Sequence, residues 1–178
     1  MINDMETILL TEEQIRARVA QMGAEISRDY AGKDPLFVGV LKGCFVFMAD
    51  LMRQVTVPCG MDFMVVSSYG NSVKTTGAVE IIKDLSQDIE GRHVVIVEDI
   101  LDTGVTLSYL TRYLKNRDPA SVSIAAFLDK PERRRADVSA RYVGFTVPDA
   151  FVVGYGLDYA EKYRNLPFIG ILKPEIYE

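Results

Sequence analysis

Three acidic residues stand where an apolar run ends in the stretch VVIVEDILDTGVTL, which covers residues 94–107. Glu98 and Asp99 follow four β-forming residues directly, and Asp102 comes three positions after Asp99. Adjacent carboxylates repel each other, and burying charge beside a core costs free energy unless a cation or a hydrogen-bond donor pairs with it. The stretch therefore predicts a polar or cationic partner at the end of a buried strand.

The hydroxyl groups and the glycine that come next in the sequence are suited to binding a phosphate. Thr103, Gly104 and Thr106 lie where the chain should pass from strand to helix, where a glycine lets backbone N–H groups approach a ligand and a helix N-terminus favours an anion. The acids would repel that phosphate, so they suit a ribose diol, or Mg²⁺ and its waters, beside it. Together these groups predict a site for a phosphorylated ribose. The alternative is a capped helix start in a solvated turn, because Asp and Thr both cap helices.

The elements that must position these residues alternate between strand and helix patterns. Thr11 and Gln14 match a capping box and predict a helix over 11–32. Its apolar face consists of Ile15, Val19, Met22 and Ile26. Further helices are predicted at 44–55 and 105–117, and strands at 36–40, 61–69, 93–99, 121–130, 141–147, 151–156 and 168–173. This order indicates an α/β fold, a mostly parallel twisted sheet flanked by helices in one domain over 1–178.

The parallel sheet also predicts where the site lies. Ligands of such sheets bind beyond the carboxyl ends of the strands. Lys42 follows one predicted strand, whereas Glu98 and Asp99 end another and Asp102 comes just after it, so all four should meet at the same edge.

Composition narrows the class of protein. A net charge of −5 argues against a nucleic-acid-binding surface. The chain has no apolar run long enough to span a membrane and no secretory signal pattern, and its two cysteines are too few for a disulfide framework. We therefore expect a cytoplasmic protein without a membrane partner.

The sequence lacks the residues that several other kinds of active site require. His93 is the single histidine, which leaves little for a Ser-His-Asp triad or a multi-histidine metal site. There is no phosphate-binding P-loop motif, and Tyr159 occupies the third glycine position of a dinucleotide fingerprint that would begin at Gly154 and Gly156. The run RRR at 133–135 is interpreted as a solvated turn rather than an RNA-binding patch.

At this point EDILDTGVT resembles the 5-phosphoribosyl-1-pyrophosphate (PRPP) signature of the type I phosphoribosyltransferases. More narrowly, the chain resembles the hypoxanthine-guanine phosphoribosyltransferases. LKG at 41–43 is similar to the family's pyrophosphate loop, and SSYGNSVKTTG to its flexible lid. LDK at 128–130 and FVVGYGLDYAEKYRNLP at 151–167 are similar to its purine-binding region. The resemblance spans nearly the whole chain and implies a small hood built from the N- and C-terminal segments.

The resemblance implies how PRPP is bound. The ribose and its 5′-phosphate would be held by Glu98, Asp99, Thr103, Gly104 and Thr106. Pyrophosphate would contact Lys42, Gly43 and Arg164, with the Leu41–Lys42 peptide in the cis form. Mg²⁺ would be held by Glu98, Asp99 and, at a second ion, Asp158. Ser68 and Tyr69 would belong to the lid, and Val105 replaces a Lys of some relatives at a position where only the backbone is needed.

The resemblance also implies how the base is bound and what reaction follows. Asp102 would face N7 of the purine as general base or hydrogen-bond partner, and Lys130 would donate to O6. Phe151 would stack on the ring, the Val152 carbonyl would read N1, and backbone carbonyls near Asp158 would contact the 2-position. The expected reaction transfers phosphoribose to N9 of hypoxanthine or guanine and releases pyrophosphate, in a homodimer or homotetramer.

Two alternatives stay open. A related enzyme could use a pyrimidine, adenine or xanthine, and a non-catalytic regulator on this fold could sense nucleotides and bind RNA or protein. Single residues also have simpler interpretations: Phe151 as core, Lys42 as a solvated strand end, Lys130 as a partner of nearby acids, and Asp158 with Arg164 as a surface ion pair.

Overall fold

The computed structural model describes residues 1–68 and 79–178. The strands are β1 (Met5–Leu10), β2 (Leu36–Leu41), β3 (Gly60–Ser68), β4 (Val79–Lys83), β5 (His93–Leu101), β6 (Ser121–Asp129), β7 (Tyr142–Thr146), β8 (Val152–Val153) and β9 (Ile169–Leu172). The helices are α1 (Glu12–Asp29), α2 (Phe45–Gln54), α3 (Val105–Lys115) and α4 (Pro174–Tyr177), with 3₁₀ turns at Ile2–Asp4 and Pro131–Arg133. No helix within the described residues has the length and apolar character needed to cross a membrane.

A six-stranded sheet forms the body of the molecule, in the order β4-β3-β2-β5-β6-β7. Its neighbours pair in parallel except β3 and β4, which are antiparallel. Parallel strands need crossover connections, and helices supply them: α2 links β2 to β3, and α3 links β5 to β6. The predicted mostly parallel α/β fold is confirmed.

Both faces of this sheet are buried, which explains why the central strands are apolar without alternation. In β5, Val95 and Val97 pack with residues of α1 and α2, whereas Val94 and Ile96 pack with residues of α3. The predicted apolar face of α1 is buried, and its capping box at Thr11 is formed. Helices on both faces thus leave the ends of the strands as the accessible part of the sheet.

A second, three-stranded sheet in the order β1-β9-β8 forms the hood. Strand β1, which the sequence pattern did not predict, pairs antiparallel with β9 and so joins the N- and C-terminal segments. The strand predicted at 151–156 is wrong, because only Val152 and Val153 are extended. Gly154 and Gly156 have φ values of +104° and +102°, and the Gly154 N–H donates to Leu157 O, so the chain turns at once.

Candidate active site

A cavity of about 260 Å³ opens where β5 leads into α3. Its lining contains the three acids and the three phosphate-cradle residues that the sequence predicted for the site: Glu98, Asp99, Asp102, Thr103, Gly104 and Thr106. The structure therefore brings the predicted acids and the predicted phosphate cradle together at the carboxyl end of the sheet.

Glu98 and Asp99 lie inside β5, which continues to Leu101, two residues beyond its predicted end. Burial raises the pKa of Glu98 well above its usual range, and the negative charge of Asp99 adds to that effect. Burial also raises the pKa of Asp99, although hydrogen bonds from Glu98 and the Ile100 N–H and the charge of Arg164 oppose the shift. The two carboxyl groups resist carrying two negative charges until a cation arrives.

Gly104 forms the N-cap of α3 in the left-handed region, with a φ of +79°. A Cβ built there would lie 2.5 Å from Val138 Cγ1 and 2.9 Å from Arg134 Cδ. The glycine is therefore needed for its backbone conformation and for packing against the segment after β6, in addition to the close approach that the sequence suggested. The Ser108 N–H donates to Gly104 O in the first hydrogen bond of the helix. The N–H groups of the residues before Ser108 have no partner within the helix, and they lie at the helix end that borders the cavity.

Asp102 lies just beyond β5, and two arginines contact it. The Arg133 Nε atom is 2.7 Å from Asp102 Oδ1, and the Arg134 Nε donates to Asp102 O at 3.1 Å. Arg134 also pairs with Asp129 and is largely buried. Arg133 and Arg135 are exposed, as a solvated turn predicts, whereas Arg134 is partly buried because the turn folds back onto the site.

Lys130 is only 7% exposed, and its ammonium group donates to Ala150 O at 2.6 Å. Burial lowers the pKa of Lys130, whereas the charges of Asp102 and Asp149 oppose this shift. Its backbone N–H donates to Leu101 O, which holds the residue beside the start of the Asp102 loop. Lys130 is thus a buried cation at the site.

Phe151 follows Ala150 directly and is 38% exposed, so the interpretation of Phe151 as core is wrong. Its ring stacks on the ring of Tyr177 and meets the edge of Tyr159. Val152 is buried in β8, where it pairs with Ile171 of β9. The predicted purine-binding residues Lys130, Phe151 and Val152 therefore lie near the junction between the two sheets.

The loop after β2 has the predicted cis peptide between Leu41 and Lys42. Gly43 packs against Asp99, whose Oδ2 atom would lie 1.7 Å from a Cβ at position 43. A Cβ at Gly156 would lie 2.2 Å from the Gly43 carbonyl oxygen. Two glycines thus let this loop fit between the acids of β5 and the turn after β8.

The predicted pyrophosphate-binding cations converge on one carboxylate. Lys42 Nζ lies 3.0 Å from Glu161 Oε2, and Arg164 Nη2 lies 3.3 Å from Glu161 Oε1. Arg164 also pairs with Asp158 at 2.9 Å and donates to Gly156 O at 2.8 Å. The sequence analysis missed Glu161, which bridges the two cations. Asp158 and Arg164 do pair, but both are partly buried rather than at the surface.

Part of the predicted lid lies outside the described residues. Ser68 is the last residue of β3, whereas Tyr69 and the rest of the segment up to residue 78 are not described.

Comparison with known proteins identifies the family. Residues 6–160 match the phosphoribosyl transferase domain family. The chain is 54% identical over its full length to the hypoxanthine-guanine phosphoribosyltransferase of Bacillus subtilis (strain 168), covering 99% of that protein. The chain belongs to the hypoxanthine-guanine phosphoribosyltransferase family. It is also 52% identical to the Staphylococcus aureus (strain Mu50) hypoxanthine-guanine phosphoribosyltransferase, with 99% of each chain covered.

Solved structures of the family support the fold. A crystal structure of a hypoxanthine phosphoribosyltransferase from Staphylococcus aureus superposes with a TM-score of 0.97 at 52% identity, covering 100% of this chain and 97% of that one. The type I phosphoribosyltransferase fold that the PRPP-like motif predicted is therefore confirmed.

The donor set of this phosphoribosyltransferase fits Mg²⁺ at Glu98 and Asp99. Oxygen ligands suit that ion, and it is usually held by one or two carboxylates together with substrate phosphates and water. Burial and the negative charge of Asp99 raise the pKa of Glu98, so a bound cation would stabilise the ionised pair. Within residues 1–68 and 79–178 no group of three or more His, Cys, Asp or Glu side chains could enclose a metal, so Asp158 does not join these two acids.

Proposed function

We propose that the protein transfers the 5-phosphoribosyl group of PRPP to N9 of hypoxanthine or guanine, which yields inosine or guanosine monophosphate and pyrophosphate. Full-length identity of 54% to a hypoxanthine-guanine phosphoribosyltransferase carries the proposal. The cavity that joins the β5 acids to the start of α3 supports it.

PRPP would lie across this cavity. The N-terminus of α3 and the Thr103 and Thr106 hydroxyls would hold the 5′-phosphate, since free N–H groups and the helix dipole favour an anion. Lys42 and Arg164 would release Glu161 and bind pyrophosphate, because a phosphate carries more negative charge than one carboxylate. The substrate would therefore be held at both ends while the ribose C1 between them reacts.

Each of the site residues would have a separate role in the reaction. The bond from C1 to the pyrophosphate oxygen breaks, the bond from C1 to N9 forms, and the departing purine proton passes to the Asp102 carboxylate or is held there by a hydrogen bond. Lys130 would donate to the 6-oxo group of the base, and the side chain of Arg164 would stabilise the leaving group. Mg²⁺ held by Glu98 and Asp99, and by Asp158 at a second ion, would neutralise charge on the pyrophosphate.

The test is nucleotide formation from PRPP with hypoxanthine, guanine, xanthine and adenine in parallel, with Mg²⁺ present or replaced by a chelator. We expect product with hypoxanthine or guanine and none with the chelator. Asp102→Asn should lower kcat by about 10²- to 10⁴-fold, the usual contribution of general acid–base catalysis.

Asp118→Asn is the matched control, because Asp118 is an exposed carboxylate after α3, and its φ of +54° is tolerated by Asn. It should leave kcat unchanged. PRPP binding without product from any base would reject the enzyme and favour a nucleotide-sensing regulator. Oligomeric state and cellular location remain predictions.

A further inference from the structure

The ring of Phe151 is supported by the penultimate residue of the chain. Its centroid lies 4.7 Å from that of Tyr177, with 19° between the ring planes. The edge of Tyr159 meets the same ring at 5.6 Å and 88°. Phe151 nevertheless stays 38% exposed. Tyr177 therefore covers one face of the ring, and part of Phe151 stays open to solvent.

Tyr177 lies on the hood side of Phe151. It packs with the hood cluster, which is the buried group Met5, Val153, Tyr163, Leu166 and Leu172. Lys130 approaches from the other sheet, where its ammonium donates to the carbonyl of the residue before Phe151. Phe151 therefore lies between the hood cluster and the Lys130 end of the six-stranded sheet.

The short helix that carries Tyr177 is tied to the N-terminal segment. The Lys173 N–H donates to Asp4 O at 3.0 Å, just before α4 begins. The Ile176 N–H donates to Lys173 O at 3.0 Å, and the Glu178 N–H donates to Pro174 O at 2.9 Å. These bonds give Tyr177 a defined position rather than that of a loose chain end.

We propose that Tyr177 is a positioning residue of the purine site, and the proposal rests on the proposed function. Tyr177 holds the Phe151 ring from behind, so that a bound purine forms the third layer of a stack. An exposed Phe without this support would have to be ordered when the base binds, and ordering a side chain weakens affinity. The residues after β9 thereby belong to the base site, although none of them touches the reacting atoms.

The test compares Tyr177→Leu with Tyr177→Phe. Leu keeps an apolar side chain against the hood cluster but removes the ring, whereas Phe keeps the ring and removes only the hydroxyl group. We expect Tyr177→Leu to raise KM for hypoxanthine about 3- to 10-fold, the range of one aromatic pair. KM for PRPP and the melting temperature should stay at the wild-type values. Tyr177→Phe should restore the wild-type KM for the base.

Ile176→Ala is the matched control, because Ile176 packs on the hood cluster from the same helix and carries no ring. An equal rise in KM for the base in Ile176→Ala would show that the hood as a whole is responsible, and would overturn the proposal. An unchanged KM for the base in Tyr177→Leu would also overturn the proposal. A lowered KM would overturn it too, because it would mean that Tyr177 competes with the base. If the wild-type protein makes no nucleotide, it is the proposed function that fails.

Discussion

Arg133 Nε lies 2.7 Å from Asp102 Oδ1, and the same guanidinium group approaches Asp149 Oδ1 at 3.5 Å. The contact with Asp102 is an ion pair that is not aligned as a hydrogen bond, and Asp102 Oδ1 is buried without a donor from the part of the chain that the structure describes. The carboxylate that we expect to face the purine therefore has its charge balanced by Arg133.

Replacing Arg133 with Gln should lower kcat/KM for the base by up to about fivefold, because a half-exposed ion pair contributes only about 0.2–1 kcal/mol. Arg133→Lys keeps the positive charge and should restore most of the loss. The measurement is steady-state kinetics with the base varied at saturating PRPP. Equal rates for Arg133→Gln and the wild-type protein would show that the pair has no role in base binding.

Lys130 should make base binding sensitive to alkaline pH. Burial lowers its pKa below the ordinary value of 10.5, so the ammonium group loses its proton at a lower pH than a solvated lysine does. Neutral lysine donates more weakly to the purine oxygen, and KM for the base should therefore rise as the pH increases through the lowered pKa.

The comparison that isolates this effect uses Lys130→Arg, because arginine stays protonated throughout the alkaline range. The ionisation of the base itself is common to both proteins, so the difference between their pH profiles reports Lys130. Profiles that coincide on the alkaline side would contradict the assignment, whatever the absolute activity of the variant.

Gly156→Ala should disturb the pyrophosphate loop. The new Cβ would lie 2.2 Å from the Gly43 carbonyl oxygen at a backbone φ of +102°. Positive φ alone costs a residue with a Cβ about 1–2 kcal/mol. We expect a larger loss of stability than this, together with a rise in KM for PRPP that exceeds the rise in KM for the base.

Gly91→Ala is the control for Gly156→Ala, because it introduces backbone strain without a steric clash. Gly91 has a φ of +69°, and no atom lies within 4 Å of a Cβ built there. It should lose about 1–2 kcal/mol of unfolding free energy and keep both KM values. Equal kinetic changes in the two alanine variants would mean that the contact between the loop and the turn is not important.

Asp62→Asn should destabilise the protein by about 1–3 kcal/mol at neutral pH, since it weakens hydrogen bonds to a buried charged group. The carboxylate of Asp62 accepts from the Phe63 and Ser86 N–H groups, both at 2.7 Å, and lies 3.5 Å from Lys83 Nζ. Burial acts to raise the pKa of Asp62, but these donors outweigh it and the pKa is lowered from 3.8.

The direction of the Asp62 pKa shift determines how the stability of the protein depends on pH. A carboxyl group with a lowered folded-state pKa stabilises the protein above its unfolded-state pKa of 3.8, and the contribution is lost as the pH falls through the lower folded-state value. Urea unfolding across acidic pH should therefore show the gap between wild type and Asp62→Asn closing. A gap that stays constant with pH would indicate that the lost stability comes from packing.

Local pattern was sufficient for features that depend on near neighbours along the chain. The capping box at Thr11 formed as predicted, because Gln14 is only one helical turn away. The acids after VVIV lie at the carboxyl end of the sheet because the topology of a parallel sheet leaves few other places for them. The family resemblance added the remaining site residues, whose chemical roles remain predictions.

Other features required residues far apart in sequence to meet. Strand β1 exists as a strand because it pairs with β9 at the other end of the chain. Phe151 is exposed and backed by Tyr177, and Glu161 bridges Lys42 and Arg164, although nothing in the local sequence marks these contacts. Arg134 was expected in solvent as part of a solvated turn, but the fold largely buries it against Asp129 and pairs the exposed Arg133 with Asp102.

The sequence by itself determined the order of elements, the α/β class and the edge of the sheet at which chemistry occurs, because each depends on periodicity, capping and strand topology. Only the tertiary structure decided which charges are paired and which aromatic rings stack. Those contacts depend on the distances between segments of different strands and helices, and a linear pattern carries no information about such distances.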